Sequence, residues 1–125
     1  MSQAASQAAA FYRDVALSQV VWTIEDDGGI PCPVSTSGSR SMPLWSSLAR
    51  VQRMIKVVPA YSAFRPLSIP WPKFVTAYVP DLSRDGVLCG VNWSGQRAVG
   101  YELSPQDLLR NVGFAERSLS APGRG

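Results

Sequence analysis

The chain contains no histidine. That absence removes Ser-His-Asp and Cys-His nucleophilic chemistry, the usual general base near neutral pH and the commonest metal ligand. Cysteine is scarce as well. Cys32 and Cys89 stand far apart, and with the scattered carboxylates they do not make a zinc site by spacing. Both are expected to be small buried hydrophobes, kept reduced in a cytoplasmic protein. No apolar run approaches the roughly 20 residues that span a bilayer. The opening Met1-Ser-Gln-Ala-Ala-Ser-Gln-Ala-Ala-Ala10 lacks the basic start and leucine-rich centre of a signal peptide. A glycine-rich phosphate loop is also missing, since Gly28-Gly29 has neither the spacing nor the lysine of one. These gaps predict a cytoplasmic protein with no metal, no cofactor and no membrane contact, and they lower the expectation of catalysis.

The 125 residues fit one domain, and the 46% hydrophobic content is ordinary for a globular chain. A net charge of +3 and a pI near 9.2 make it basic. The cations are spread along the sequence without a dense run, so nucleic acid is not the expected partner.

Residues 3–17 carry Ala4, Ala8, Phe11, Tyr12 and Val15 at helical spacing, with Ser2 placed to cap the start. Gln19 to Glu25 alternates as a strand, with Val20, Trp22 and Ile24 on one side. Glu25-Asp-Asp27 leads into a Gly28-Gly29 turn; this acidic cluster is expected to be solvated. Ile30 to Val34 holds two prolines and predicts an edge strand or extended chain. Met42 to Trp45 runs into a second helix capped by Ser46 or Ser47, with Leu48, Val51 and Ile55 as its buried stripe and Arg50, Arg53 and Lys56 on the opposite face. Arg65 to Ile69 reads as a strand. A helix is expected from about Pro72, ended or broken by Pro80, and a last helix from Ser104 through about Val112.

Gly86 to Tyr101 reads as a hairpin. A three-residue loop at Ser94-Gly95-Gln96 pairs Val91 with Val99 and Cys89 with Tyr101, which gathers the bulky apolar groups on one face. That register sets Gly90 opposite Gly100 beside Asn92, a floor without side chains. It predicts either close packing of a helix or loop, or a contact surface for a partner or small ligand. Among the four tryptophans, Trp71 between two prolines is the one expected at the surface. Candidate binding residues are therefore Trp71, Arg50, Arg53, Lys56, Asn92, Gly90 and Gly100, with no catalytic or metal-ligating residue.

Leu44-Trp-Ser-Ser47 before an amphipathic helix, the proline-rich Phe64 to Trp71 segment, Pro72-Lys-Phe74, Val79-Pro-Asp-Leu82, Asp85-Gly86, Gly90-Val-Asn-Trp-Ser-Gly95 and Gly100-Tyr-Glu-Leu103 occur in order. Across roughly residues 8 to 112 this series resembles the bacterial domain of unknown function 2750 family. The resemblance implies a small bacterial α/β domain that occurs alone, and it brings no activity, substrate or cofactor.

The expected fold is α/β (α+β): one small domain, a mostly antiparallel sheet of about five to six short strands packed by three to four helices. Residues 1–115 form the globular part and 116–125 a flexible C-terminal tail. The expected function is a non-catalytic protein-binding module, immunity-like or a regulatory adaptor. The alternative is a small enzyme or ligand-binding protein using a carboxylate, an arginine or Cys89 in a pocket, and the third reading is a weak nucleic-acid binder.

Overall fold

A computed structural model describes residues 2–120. Helix α1 (Gln3–Ser18) starts where the Ser2 hydroxyl accepts the Ala5 N–H, and ends at Gln19, which adopts a left-handed conformation. Phe11 and Val15 on its inner stripe are fully buried. Strand β1 (Val20–Glu25) pairs antiparallel with β3 (Arg65–Pro70), and β2 (Ser41–Leu44) runs parallel to β4 (Leu88–Ser94). Strand β5 (Val99–Leu103) closes a second sheet of order β2-β4-β5 as the antiparallel neighbour of β4. The domain is thus α+β, with mostly antiparallel pairing. Ile30 to Val34 adds no strand; only Val34 makes an isolated bridge, to Arg40.

One proline accounts for the split into two sheets. Trp22 and Trp45 exchange both backbone hydrogen bonds at 2.8 Å, which joins β1 to the end of β2. In an antiparallel register the next mutually bonded pair would be Ile24 with Pro43, and proline has no N–H to give. The buried Thr23 hydroxyl instead donates to the Pro43 carbonyl at 2.7 Å. The ladder stops there, but the chain stays in register.

Both faces are covered. Val21, Met42, Leu44, Cys89 and Val91 join Phe11, Val15, Leu108 and Val112 in one core; Ile24 and Trp45 join Val51, Met54 and Val58 in the other. Alternation along β1 therefore feeds two cores. Helix α2 (Leu48–Val57) is capped by Ser47 and turns Val51 and Met54 inward. Leu48, expected in that stripe, is exposed: the buried stripe runs through Val51, Met54 and Val58 instead.

A single helical rod runs from Trp71 to Asp85, so Pro80 does not end it. It comprises α3 (Trp71–Lys73), a π turn (Phe74–Tyr78) and α4 (Val79–Asp85). In the wide turn the Val79 N–H reaches back to the Phe74 carbonyl. That enlarges the helix just before Pro80, whose ring would otherwise strike the preceding turn. Trp71 stacks on Phe74 (5.4 Å between rings) and Phe74 on Tyr78 (5.8 Å). Trp71 is only 5% exposed, which overturns its assignment to the surface: the prolines on either side start the helix and fold the indole under it. Helix α5 (Pro105–Ser120) continues well past Val112, and Glu116 accepts a hydrogen bond from Gln19 at 2.9 Å. Residues 121–125 of the expected tail lie outside the described residues.

Candidate functional site

The hairpin differs from the expected register, and the difference builds the site. Cys89 pairs with Leu103, Gly90 with Glu102 and Val91 with Tyr101; Ser94 then pairs with Val99. Two residues of β4, Asn92 and Trp93, therefore face one of β5, Gly100. This is a β-bulge, with Asn92 in the left-handed region at φ 50°. The connecting turn is Gly95 to Ala98, not Ser94 to Gln96. Counting alternate residues fails across a bulge, so the anticipated apolar face is divided. Cys89, Val91 and Leu103 are buried, while Val99 and Tyr101 are each 47% exposed.

Trp93 is turned onto the two glycines. A Cβ on Gly90 would overlap its indole, and one on Gly100 would lie 2.9 Å from the ring. The indole N–H donates to the Tyr101 carbonyl at 3.0 Å. Gly90 and Gly100 are therefore neither opposite one another nor an open floor: they are the space that a tryptophan of the same ribbon fills.

Asn92, 2% exposed, is a buried hub. Its side-chain oxygen accepts the Ser46 N–H at 3.0 Å, and its amide donates to the Gln7 carbonyl and the Ser46 hydroxyl, each at 3.1 Å. Ser46 in turn donates to Asp14 at 2.8 Å. This network ties α1, the start of α2 and the bulge together, and among the described residues no buried side-chain donor or acceptor is left unpartnered. Asn92 is thus a structural joint; only its edge reaches a small hollow beside Gln3 and Gly100.

That joint holds a cleft of about 530 Å³ between α1, α2 and the β4–β5 turn. Its rim is Gln3, Gln7, Arg50, Arg53, Ser94 and Val99. Trp45, Met54 and Trp93, almost wholly shielded from solvent, form the solid base. The Trp45 indole N–H is used on the Trp93 carbonyl at 2.9 Å, so the base offers shape and no free donor. Arg50 is braced by the Gln7 side-chain oxygen at 2.6 Å. Neither Arg50 nor Arg53 has a carboxylate within ion-pair distance among the described residues. Lys56 lies further along α2, lining a shallower surface with Arg50 and Arg53. Of the binding residues expected from the sequence, the fold gathers Arg50, Arg53 and Lys56 and sets Trp71 aside.

Other reactive groups do not converge. Burial pushes the Cys89 thiol up to about 12, and the charge of nearby Cys32 acts the same way, so Cys89 is a protonated core group. Burial also raises Cys32. Glu25 and Asp27 sit beside Arg65 at 3.8 and 3.5 Å in a surface pair. Among the described residues no three Cys, Asp or Glu side chains cluster to hold a metal ion. Glu102 is partly buried, which pushes its carboxyl up, but hydroxyl donation from Ser37, Ser41 and Ser35 outweighs this and leaves it below its ordinary value.

A family model described as "Protein of unknown function (DUF2750)" matches residues 8–112. The chain belongs to the DUF2750 family. No curated protein matches the chain. In this DUF2750 member Arg50, Arg53, Asn92, Trp93 and Val99 fall within the matched span, whereas Gln3 and Gln7 precede it. Gln3 and Gln7 were missed in the sequence because they read as the polar side of an alanine-rich helix. A better signal was present. From Gly28 to Pro80 there is no Asp or Glu, yet Arg40, Arg50, Arg53, Lys56, Arg65 and Lys73 all lie within that stretch.

Proposed function

We propose that the protein is a non-catalytic, protein-binding module of the bacterial cytoplasm, an immunity-like or regulatory adaptor whose recognition face is α2. The observation that carries this reading is the cation set on that helix. Arg50, Arg53 and Lys56 share one surface, and none has an acidic partner among the described residues. Charges left unpaired on a rigid element steer and orient an oppositely charged surface, so the partner is acidic. The high pKa of Cys89 supports binding over nucleophilic chemistry. Both cysteines are free, which suits a reducing compartment. No helix among the described residues is long and apolar enough to cross a membrane.

The test is affinity capture from a host lysate with wild type and the R50E/R53E/K56E variant, with retained proteins identified by mass spectrometry. An acidic protein held by wild type, lost by the variant and released by salt supports the module. Retention that ignores the charge reversal sinks it. Tight, salt-sensitive binding of an oligonucleotide would move the reading to nucleic acid.

A further inference from the structure

We infer that the cleft between α1, α2 and the β4–β5 turn takes a carboxylate side chain borne on an extended acidic segment of the partner. This rests on the module reading and sharpens it to one pocket. Two guanidiniums line the cleft without a counter-charge, and one is already braced by Gln7 at 2.6 Å. An arginine held in place loses less freedom when it grips a carboxylate with two parallel N–H groups. Gln3 and Gln7 add amide groups on the facing wall. The base cannot collapse, because Trp93 is pinned by the two glycines and by its bond to Tyr101.

The segment is extended because of what borders the cleft. β5 is the outer strand of its sheet, and no strand pairs with its far side among the described residues. Val99, Gly100 and Tyr101 of that strand are exposed, and Val99 also lines the cleft. An exposed strand edge accepts a further strand through main-chain hydrogen bonds, while a neighbouring pocket reads one side chain. Charge supplies the complement: a glutamate or aspartate on that strand meets Arg50 and Arg53.

The probe is a blocked glutamate-rich peptide titrated into isotope-labelled protein, read on the tryptophan indole N–H signals and the backbone amides of residues 99–101. The expected result is a saturable shift of Trp93 and of those amides, with buried, remote Trp71 unmoved. The R50Q/R53Q variant should weaken binding by at least about tenfold, as expected for loss of charge-assisted pairs, while K73Q, which removes an exposed cation lining neither surface, leaves it near wild type. An equal shift with the matching glutamine peptide, or in R50Q/R53Q, overturns the inference. So does the absence of any shift up to ~10 mM peptide, the weak limit of a specific site. Binding of free glutarate without binding of the peptide also overturns it, by making the occupant a small acid. Lysate capture that depends on Lys56 while the peptide leaves Trp93 unmoved would leave the module standing and reject the cleft.

Discussion

Asn92 does two jobs that other residues could do only singly. It occupies a left-handed backbone position, which asparagine tolerates better than most, and its side chain makes three hydrogen bonds, two of them buried. Asn92→Ala should cost about 2–4 kcal/mol in urea unfolding, because it strains the bulge and strands the Ser46 N–H and Gln7 carbonyl. Asn92→Gly relieves the backbone term alone, so it should recover only part of that loss. Equal stability of the glycine variant and wild type would show the network to be dispensable. At Glu102 the sign of the pH effect is fixed by the hydroxyls of Ser35, Ser37 and Ser41. Its folded pKa lies below the ordinary 4.5, so its contribution is complete above that pH and is lost as pH falls through the lower folded value. Glu102→Gln should therefore lower stability at neutral pH and converge on wild type in acid. Parallel pH profiles of the two proteins would contradict the assignment.

At the scale of elements, the helical rod from Trp71 to Asp85 shows how a breaker is absorbed. A proline inside a regular helix costs about 3 kcal/mol, partly through the clash with the preceding turn. The π turn at Phe74–Tyr78 widens the helix where that clash would fall, while Trp71, Phe74 and Tyr78 remain stacked. Pro80→Ala should then change stability by less than about 1 kcal/mol, since the strain is already relieved. A gain near the full proline penalty would mean that Pro80 is tolerated and not accommodated. The same reasoning applies to β2, where Pro43 interrupts the ladder to β1 and the Thr23 hydroxyl replaces the missing contact.

Across the whole molecule, the strands carry two cores, one on each face. Cys89 sits in one of them, fully buried and with its thiol pushed up to about 12, while Cys32 is half-buried near the surface. A thiol-specific label on native protein should react first at Cys32 and reach Cys89 only through unfolding. The slow phase should therefore accelerate in urea in step with the unfolding equilibrium. Modification of Cys89 as fast as Cys32 in the native state would show that the core around β4 breathes locally. The cleft belongs to this scale as well, since its walls come from α1, α2 and the hairpin turn and close only when all three are docked.

Local physics was readable along the chain. Spacing placed α1, β1 and β3; Ser2 and Ser47 marked caps; and the family series predicted the DUF2750 match over the same residues. Each depends on neighbours within a few positions, where periodicity and capping dominate. The long-range features were decided by docking. The bulge at Asn92 exists because α1 and the start of α2 supply partners for its side chain, and no count of alternating residues can register an inserted residue. Trp71 went inward because the helix that starts between its flanking prolines stacks the indole on buried Phe74. The cations of α2 became a site when α1 brought Gln3 and Gln7 opposite them, a meeting of residues more than forty positions apart in sequence.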